Sequence, residues 1–339
     1  MMKQLSRKDF IKLTALGVTG FYISSCKFIE DKKEGIAEKN TSTESKAAPT
    51  TISEDDVIFY KKEDATYENL RIGFNKRVQK YPLVIALCKT TNGVAAAVKY
   101  GIENKLPIAI KSGGHCFESF SSNDNGLMIN LSEMNKVEFL DNDLIKVEPG
   151  CKLHQLYDAI LPKGKIIPAG SCGGVGVGGL TLGGGYGFFS RKYGLTCDSL
   201  QAFTLVDGKG NIHSSKDNPD LLWACKGGGN GNFGVVTEMI FKSYEAPKHF
   251  TSHRFKALKV DAARVQTILE QWFLLTKDLP QACFSAFVHN GKTLNILLTD
   301  YEDNPNTVQQ FKNVLSPLFD KITIGEPKPL ADRKSTRLN

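Results

Sequence analysis

Three glycine-rich segments hold the residue types in this 339-residue chain that could do chemistry. The first is Lys111-Ser112-Gly113-Gly114-His115, which directly follows the apolar run Pro107-Ile108-Ala109-Ile110. A glycine turn at a strand end exposes successive backbone N–H groups, an anion nest suited to a pyrophosphate. The second runs from Ser171 to Tyr193 and contains Cys172, Gly173, Gly174, Gly176, Gly178, Gly179, Gly183, Gly184, Gly185 and Gly187. Glycine costs about 0.5–1 kcal/mol against alanine in regular structure, so this density needs a reason. A linker would be Gly/Ser-rich and structureless. Here Val175, Val177, Leu180 and Leu182 alternate with the glycines and lead into Phe188 and Phe189, as in buried backbone wrapped around a ligand. The third segment holds Gly227, Gly228, Gly229, Gly231 and Gly234 before Val235-Val236-Thr237.

Three such loops on one scaffold suggest a dinucleotide wrapped from several sides. A P-loop is excluded: the nearest match, Ala286 to Thr293, starts on alanine and lies inside a hairpin pattern, not between strand and helix. Gly183-Gly184-Gly185-Tyr186-Gly187 does not match G-x-G-x-x-G, and no acidic residue follows at the distance a nicotinamide site requires. The eight cysteines include no C-x-x-C pair, so no zinc ribbon or thioredoxin-type site is indicated, and no disulfide framework can be read. The net charge of +7 is concentrated near the two ends. The body carries no basic block, and no nucleic-acid partner is expected.

The elements that must position these loops read as α/β. Leu83–Leu87 is a buried strand, Asn92–Asn104 a helix (Val94, Ala97, Val98, Ile102), and 107–110 a second strand, giving a parallel β-α-β unit. Strands follow at 126–132, 137–140 and 144–147, then a helix at 153–161. Leu200–Val206 and Asn211–Ser215 flank Asp207-Gly208-Lys209-Gly210, a hairpin signal. Past Tyr244 the glycine density falls. A helix over 259–276, a hairpin of 283–289 and 293–299 joined by Asn290-Gly291, and a helix over 307–319 start a second α+β domain.

Lys3, Arg7 and Lys8 precede thirteen uncharged residues, Leu13 to Ser25. That is shorter than the roughly 20 residues a membrane span takes and suits an export signal. Residues 6–12 resemble a twin-arginine signal with Lys8 for the second arginine. Ile23-Ser24-Ser25-Cys26 resembles a bacterial lipobox, so a lipid-anchored Cys26 in the cell envelope is expected as the only membrane contact. Residues 27–65 are expected to be a disordered tether, poor in aromatics. The tail 331–339 reads as translated adapter sequence, so the native chain is expected to depart from this one near 330.

The ordered motifs resemble one family: the FAD-linked oxidases of the vanillyl-alcohol-oxidase (PCMH-type FAD-binding) fold, in the berberine-bridge-enzyme-like branch. The resemblance rests on Ser112–His115, Gly170–Gly179, Gly183–Gly187, Arg191–Asp198, Asp220–Ala224 and Gly227–Thr237. It implies an α+β architecture: a two-subdomain FAD-binding domain over 75–247, then a substrate domain with an antiparallel sheet, partial at 248–330. It also implies FAD held by Ser112, Gly113, Gly114, Gly174, Val175, Gly176, Gly178, Gly179, Gly184, Gly185, Tyr186, Gly187, Gly194, Asp198, Gly234, Val235 and Val236. His115 would bond to the flavin 8α-methyl and Cys172 to flavin C6; read alone, each is an ordinary loop histidine and a small packed cysteine. Cys116 and Cys197 are read as packing. Ser119 stands where relatives often have glycine. The reaction implied is hydride removal from an alcohol C–H of a small molecule, a carbohydrate or a secondary metabolite, with dioxygen or another acceptor taking the electrons. The alternatives are a dehydrogenase on the same scaffold and a non-catalytic flavin-fold lipoprotein. No catalytic base is assignable and no metal is expected.

Overall fold

The computed structural model describes residues 53–330. The expected signal at 1–26, the tether up to 52 and the tail from 331 lie outside the described residues. The first elements are β1 (Val57–Tyr60), α1 (Tyr67–Arg71), β2 (Val84–Cys88), α2 (Thr91–Glu103), β3 (Ile108–Lys111) and β4 (Leu127–Asn130). They form a sheet of order β1-β2-β4-β3. β2 and β3 each pair with β4 in parallel. The expected β-α-β unit is therefore present with its two strands parallel but not adjacent, because β4 inserts between them. Every residue of β2 and β4 is buried, as parallel strands covered on both faces require.

β1 corrects the tether. It pairs antiparallel with β2, Val57 opposite Cys88, and Val57 is buried. The ordered chain thus begins before residue 65, because Val57 and Phe59 supply the alternating residues that an edge strand needs.

The second group comprises β5 (Val137–Phe139), β6 (Leu144–Val147), α3 (Leu153–Ile160), β7 (Lys165–Ile166), α4 (Val177–Leu182), α5 (Ser190–Tyr193), β8 (Leu200–Val206), β9 (Ile212–Ser214), α6 (Pro219–Cys225), β10 (Val235–Lys242) and β11 (Tyr244–Glu245). Its main sheet, β5-β6-β10-β8-β9, is antiparallel throughout, with β7 and β11 paired to one side. Helix α2 joins the two sheets. Thr90 caps it by accepting the Gly93 N–H at 3.0 Å. Its Val94, Ala97 and Val98 share one core with Ile129 of the first sheet and Val206 and Val235 of the second.

The third group is β12 (His249–Ala257), α7 (Ala262–Lys277), β13 (Cys283–Asn290), β14 (Thr293–Asp300), α8 (Pro305–Leu315), β15 (Lys321–Thr323) and β16 (Lys328–Pro329). The sheet order is β13-β14-β12-β15, with β16 also on β12. The hairpin turn is Gly291-Lys292, one residue beyond the expected Asn290-Gly291, since Asn290 still pairs with Thr293. One face of this sheet packs Phe255, Ala257, Leu294, Ile296 and Leu298 against Ile268 of α7 and Phe311 and Leu315 of α8. Strand alternation sends the intervening residues to the opposite face.

Ser119 is buried and adopts φ +55°. A left-handed residue with a Cβ costs about 1–2 kcal/mol. Ser119→Gly is expected to be neutral or stabilising by up to about 1 kcal/mol, and the β-branched Ser119→Val to destabilise by about 1–2 kcal/mol. Urea unfolding of the three proteins checks both signs.

Candidate cofactor and substrate site

The Ser112–His115 turn leaves the end of β3, and the glycine segment leaves the end of β7 through Gly170 and Ser171. The two meet backbone to backbone. A Cβ on Gly113 would lie 2.3 Å from the Gly176 nitrogen, and one on Gly176 would lie 2.0 Å from Ser112 Oγ. Ser112 Oγ donates to the Pro149 carbonyl at 2.6 Å, fixing the turn to the chain ahead of α3.

Among the described residues, the N–H groups of Gly113, Gly114 and His115 have no acceptor, and Gly114 is buried. A buried N–H without a partner costs about 1–3 kcal/mol. Such a row of donors fits an anionic ligand that accepts from it.

His115 stacks on Phe74, with ring centroids 4.1 Å apart and planes 19° apart. Phe74 N–H donates to the Gly114 carbonyl at 2.8 Å. A Cβ on Gly174 would lie 3.0 Å from His115 Nε2, so the imidazole faces the loop that carries Cys172. Cys172 is an exposed free thiol. Burial, and then the Lys152 charge, hold His115 below its ordinary value, which leaves it neutral at pH 7 with a free ring nitrogen lone pair. Beside it, the buried Lys111 donates to the carbonyls of Ile72 (2.8 Å) and Leu70. Burial, then Lys152, lowers its amine to about 8.

A cavity of about 330 Å³ opens between the glycine segment and the free face of the third sheet. Ser171, Tyr186 and Phe188 form one wall; Phe284, Asn295 and Arg254 stand on the other. The seam beneath is aromatic. Phe188 meets Phe284 edge-on at 5.0 Å, and Phe189 lies 4.7 Å from Tyr301. Arg191 donates to the Leu279 carbonyl at 2.5 Å, and Lys192 pairs with Glu302.

Residues 82–216 match the family described as an FAD binding domain. The chain carries an FAD-binding domain. It is 41% identical over 189 residues to an FAD-linked oxidoreductase of Bacillus subtilis, covering 54% of this chain and 42% of that protein. It is 37% identical over 275 residues to the glucooligosaccharide oxidase of Sarocladium strictum, covering 78% and 53%. A solved glucooligosaccharide oxidase from Acremonium strictum, described with a 6-S-cysteinyl, 8α-N1-histidyl FAD, superposes with a TM-score of 0.74 at 28% identity, over 83% of this chain and 60% of that one. The chain spans about half the length of the curated relatives it matches. The α+β architecture with antiparallel sheets is that of these FAD-binding neighbours.

Within the FAD-binding domain, the anion-nest residues Ser112, Gly113 and Gly114 meet Gly174, Val175 and Gly176 in one cradle. Gly178 abuts Pro149, and Asn230 of the third glycine segment donates to the Gly179 carbonyl at 2.6 Å. Gly184 and Gly185 carry positive φ, and a Cβ on Gly187 would lie 1.8 Å from the Ala169 carbonyl, so this turn closes on the segment that precedes Cys172. Tyr186 projects from it into the cavity, 61% exposed. The remaining expected residues serve the scaffold more directly. Asp198 accepts the Leu195 N–H at 2.8 Å beside Gly194. Gly234 lies against the Val206 carbonyl, and the Val235 and Val236 side chains fill two different cores.

Residues outside the glycine motifs hold the cradle. His154 Nδ1 donates to the Gly173 carbonyl at 2.8 Å, and its backbone N–H donates to the same carbonyl at 3.0 Å. As a carbonyl only accepts, the Nδ1 contact puts the proton on Nδ1. Tyr157 OH donates to the Gly170 carbonyl at 2.5 Å. Both sit on α3, whose helical period was legible; nothing in its spacing tells which side chains reach the loop. Arg254 and Asn295 belong to a free sheet face and were likewise not singled out.

Gly176→Ala is expected to force the two loops apart and weaken FAD retention more than tenfold, with far-UV circular dichroism unchanged; absorbance of the purified protein near 450 nm reads it. Removing the neighbouring charge in Lys152→Gln is expected to raise the His115 pKa. Because the folded value lies below the unfolded one, His115 subtracts stability as pH falls through 6.5 toward its folded pKa. Lys152→Gln should reduce that loss, seen as a shallower fall in unfolding free energy between pH 7 and 5.

Proposed function

We propose that this chain is the flavin-binding part of an FAD-dependent oxidase that acts on an alcohol group of a carbohydrate. The observation that carries the reading is the meeting of His115 with the Cys172 loop above a row of unpaired N–H donors. It is supported by the named carbohydrate oxidases among the relatives and by the doubly attached flavin named for one of them. When bound, FAD would accept a hydride at N5 from the substrate C–H and pass the electrons to dioxygen.

The chain's own residues supply placement. The N–H groups of Gly113, Gly114 and His115 would receive the pyrophosphate. His115 and Cys172 are the residues that would hold the flavin ring covalently. Neutral His115 is in the state such an attachment needs. Tyr186, Phe188 and Phe284 provide flat apolar surface for a sugar face and exclude water from that side. No carboxylate or imidazole lines the cavity among the described residues; these walls bind and orient. The amino-terminal segment is proposed to export the protein and anchor it at Cys26.

Acid denaturation followed by gel fluorescence and mass analysis of the flavopeptides tests this. Flavin is expected on the peptides carrying His115 and Cys172. In Cys172→Ala the flavin should remain covalent through His115; in His115→Ala the 8α attachment is lost. Protein free of flavin would sink the proposal.

A further inference from the structure

The cavity contains one cation that the cofactor reading does not use. Arg254 stands in the middle of β12, on the face opposite Phe255 and the helices, and lines the cavity with Ser171 and Tyr186. Across the sheet it is level with Leu297 of β14, which is level with Ala286 of β13. On its other side it is level with Thr323 of β15, so no charged residue stands beside it in this row. Among the described residues its guanidinium has no hydrogen-bond or ion-pair partner, in contrast to Arg71, Arg191 and Arg264, which are all engaged.

The charge of this face is one-sided. β12 and β13 contain no Asp or Glu at all. The sole acid of β14, Asp300, lies two residues from the core-facing Leu298 and so on that same face, opposite to Arg254's; it accepts from the Asn304 side chain at 2.8 Å and the Glu302 N–H at 3.1 Å. Lys256, two residues along β12, lies on Arg254's side. A guanidinium at a mostly apolar wall, with no internal counter-ion, has its fork of donors available to a carboxylate from outside. The other wall contributes aromatic surface, and Asn295 offers an amide for hydroxyl groups.

We infer that Arg254 is a specificity-determining residue and that the substrate is an acidic carbohydrate, one whose carboxylate pairs with Arg254 while a sugar hydroxyl lies toward the glycine segment. This rests on the carbohydrate-oxidase reading above and narrows it.

The test uses flavin-loaded protein and a matched pair of disaccharides, cellobiose and cellobiouronic acid, which differ only in a CH₂OH or COO⁻ at the non-reducing C6. Isothermal calorimetry under nitrogen reads binding, and loss of flavin absorbance reads oxidation. The expected result is a preference of about tenfold or more for the acid, the scale of one charge-assisted contact, shrinking as salt is raised. Arg254→Gln should bring the ratio of the two dissociation constants close to one, Arg254→Lys should retain part of it, and Arg254→Glu should invert it. An equal affinity for the pair, no binding of the acid, or a preference that survives Arg254→Gln overturns the inference. The two readings fail separately. Acid-selective binding without loss of flavin absorbance by either sugar would count against the oxidase and leave Arg254 standing; bleaching by cellobiose alone would do the reverse.

Discussion

The close approach of Gly113 to Gly176 is the constraint on which the rest depends. Two loops from two different sheets touch through bare backbone, and a single methyl on either would overlap its neighbour. That contact sets the distance between the end of β3 and the end of the β7 loop. It therefore sets where His115 stands relative to Cys172. It also explains the distribution of glycine better than flexibility does. Gly113, Gly176 and Gly187 stand where backbone lies against backbone.

Such a contact is possible only because both loops are braced from behind. Lys111 ties its own strand end to the carbonyls of residues 70 and 72, which positions Phe74 over the imidazole. α3 braces the other loop through its Leu153 N–H, His154 and Tyr157. Ser112 crosses to Pro149, just ahead of that helix. Unpaired donors in the cradle are costly without a ligand, so the braces hold open an arrangement that the polypeptide alone would not favour. Rigid support outside the ligand site is the usual way that first contacts are kept in place.

The cavity has a different logic. One wall belongs to the FAD-binding domain, whose motifs are dense and specific. The other is the free face of an antiparallel sheet whose opposite face is the core of the third group. Alternation of period two gives the two faces independent compositions. The core face is aliphatic; the cavity face mixes Phe284, Ala286, Val288 and Leu297 with Asn295 and Arg254. Substrate preference can therefore change along these strands without disturbing the helices behind them.

Much of this was legible in the sequence. The glycine motifs marked the cradle, and the apolar periodicities placed most strands and helices, because both signals are local. The hairpin at 200–215 followed from its turn residues. What sequence could not supply was adjacency. That β4 lies between β2 and β3 is a question of pairing between segments far apart in the chain, and alternation is silent on partners. That Val57 pairs into the first sheet depends on an edge of β2 being open to it. That His154, Tyr157 and Arg254 face the site depends on which turn of a helix or which face of a strand the tertiary packing aims inward. The sequence by itself determined the residue types and local turns available to bind FAD. Only the tertiary structure decided which of them meet, because long-range contacts are chosen by how three cores can be buried together, and no single segment carries that information.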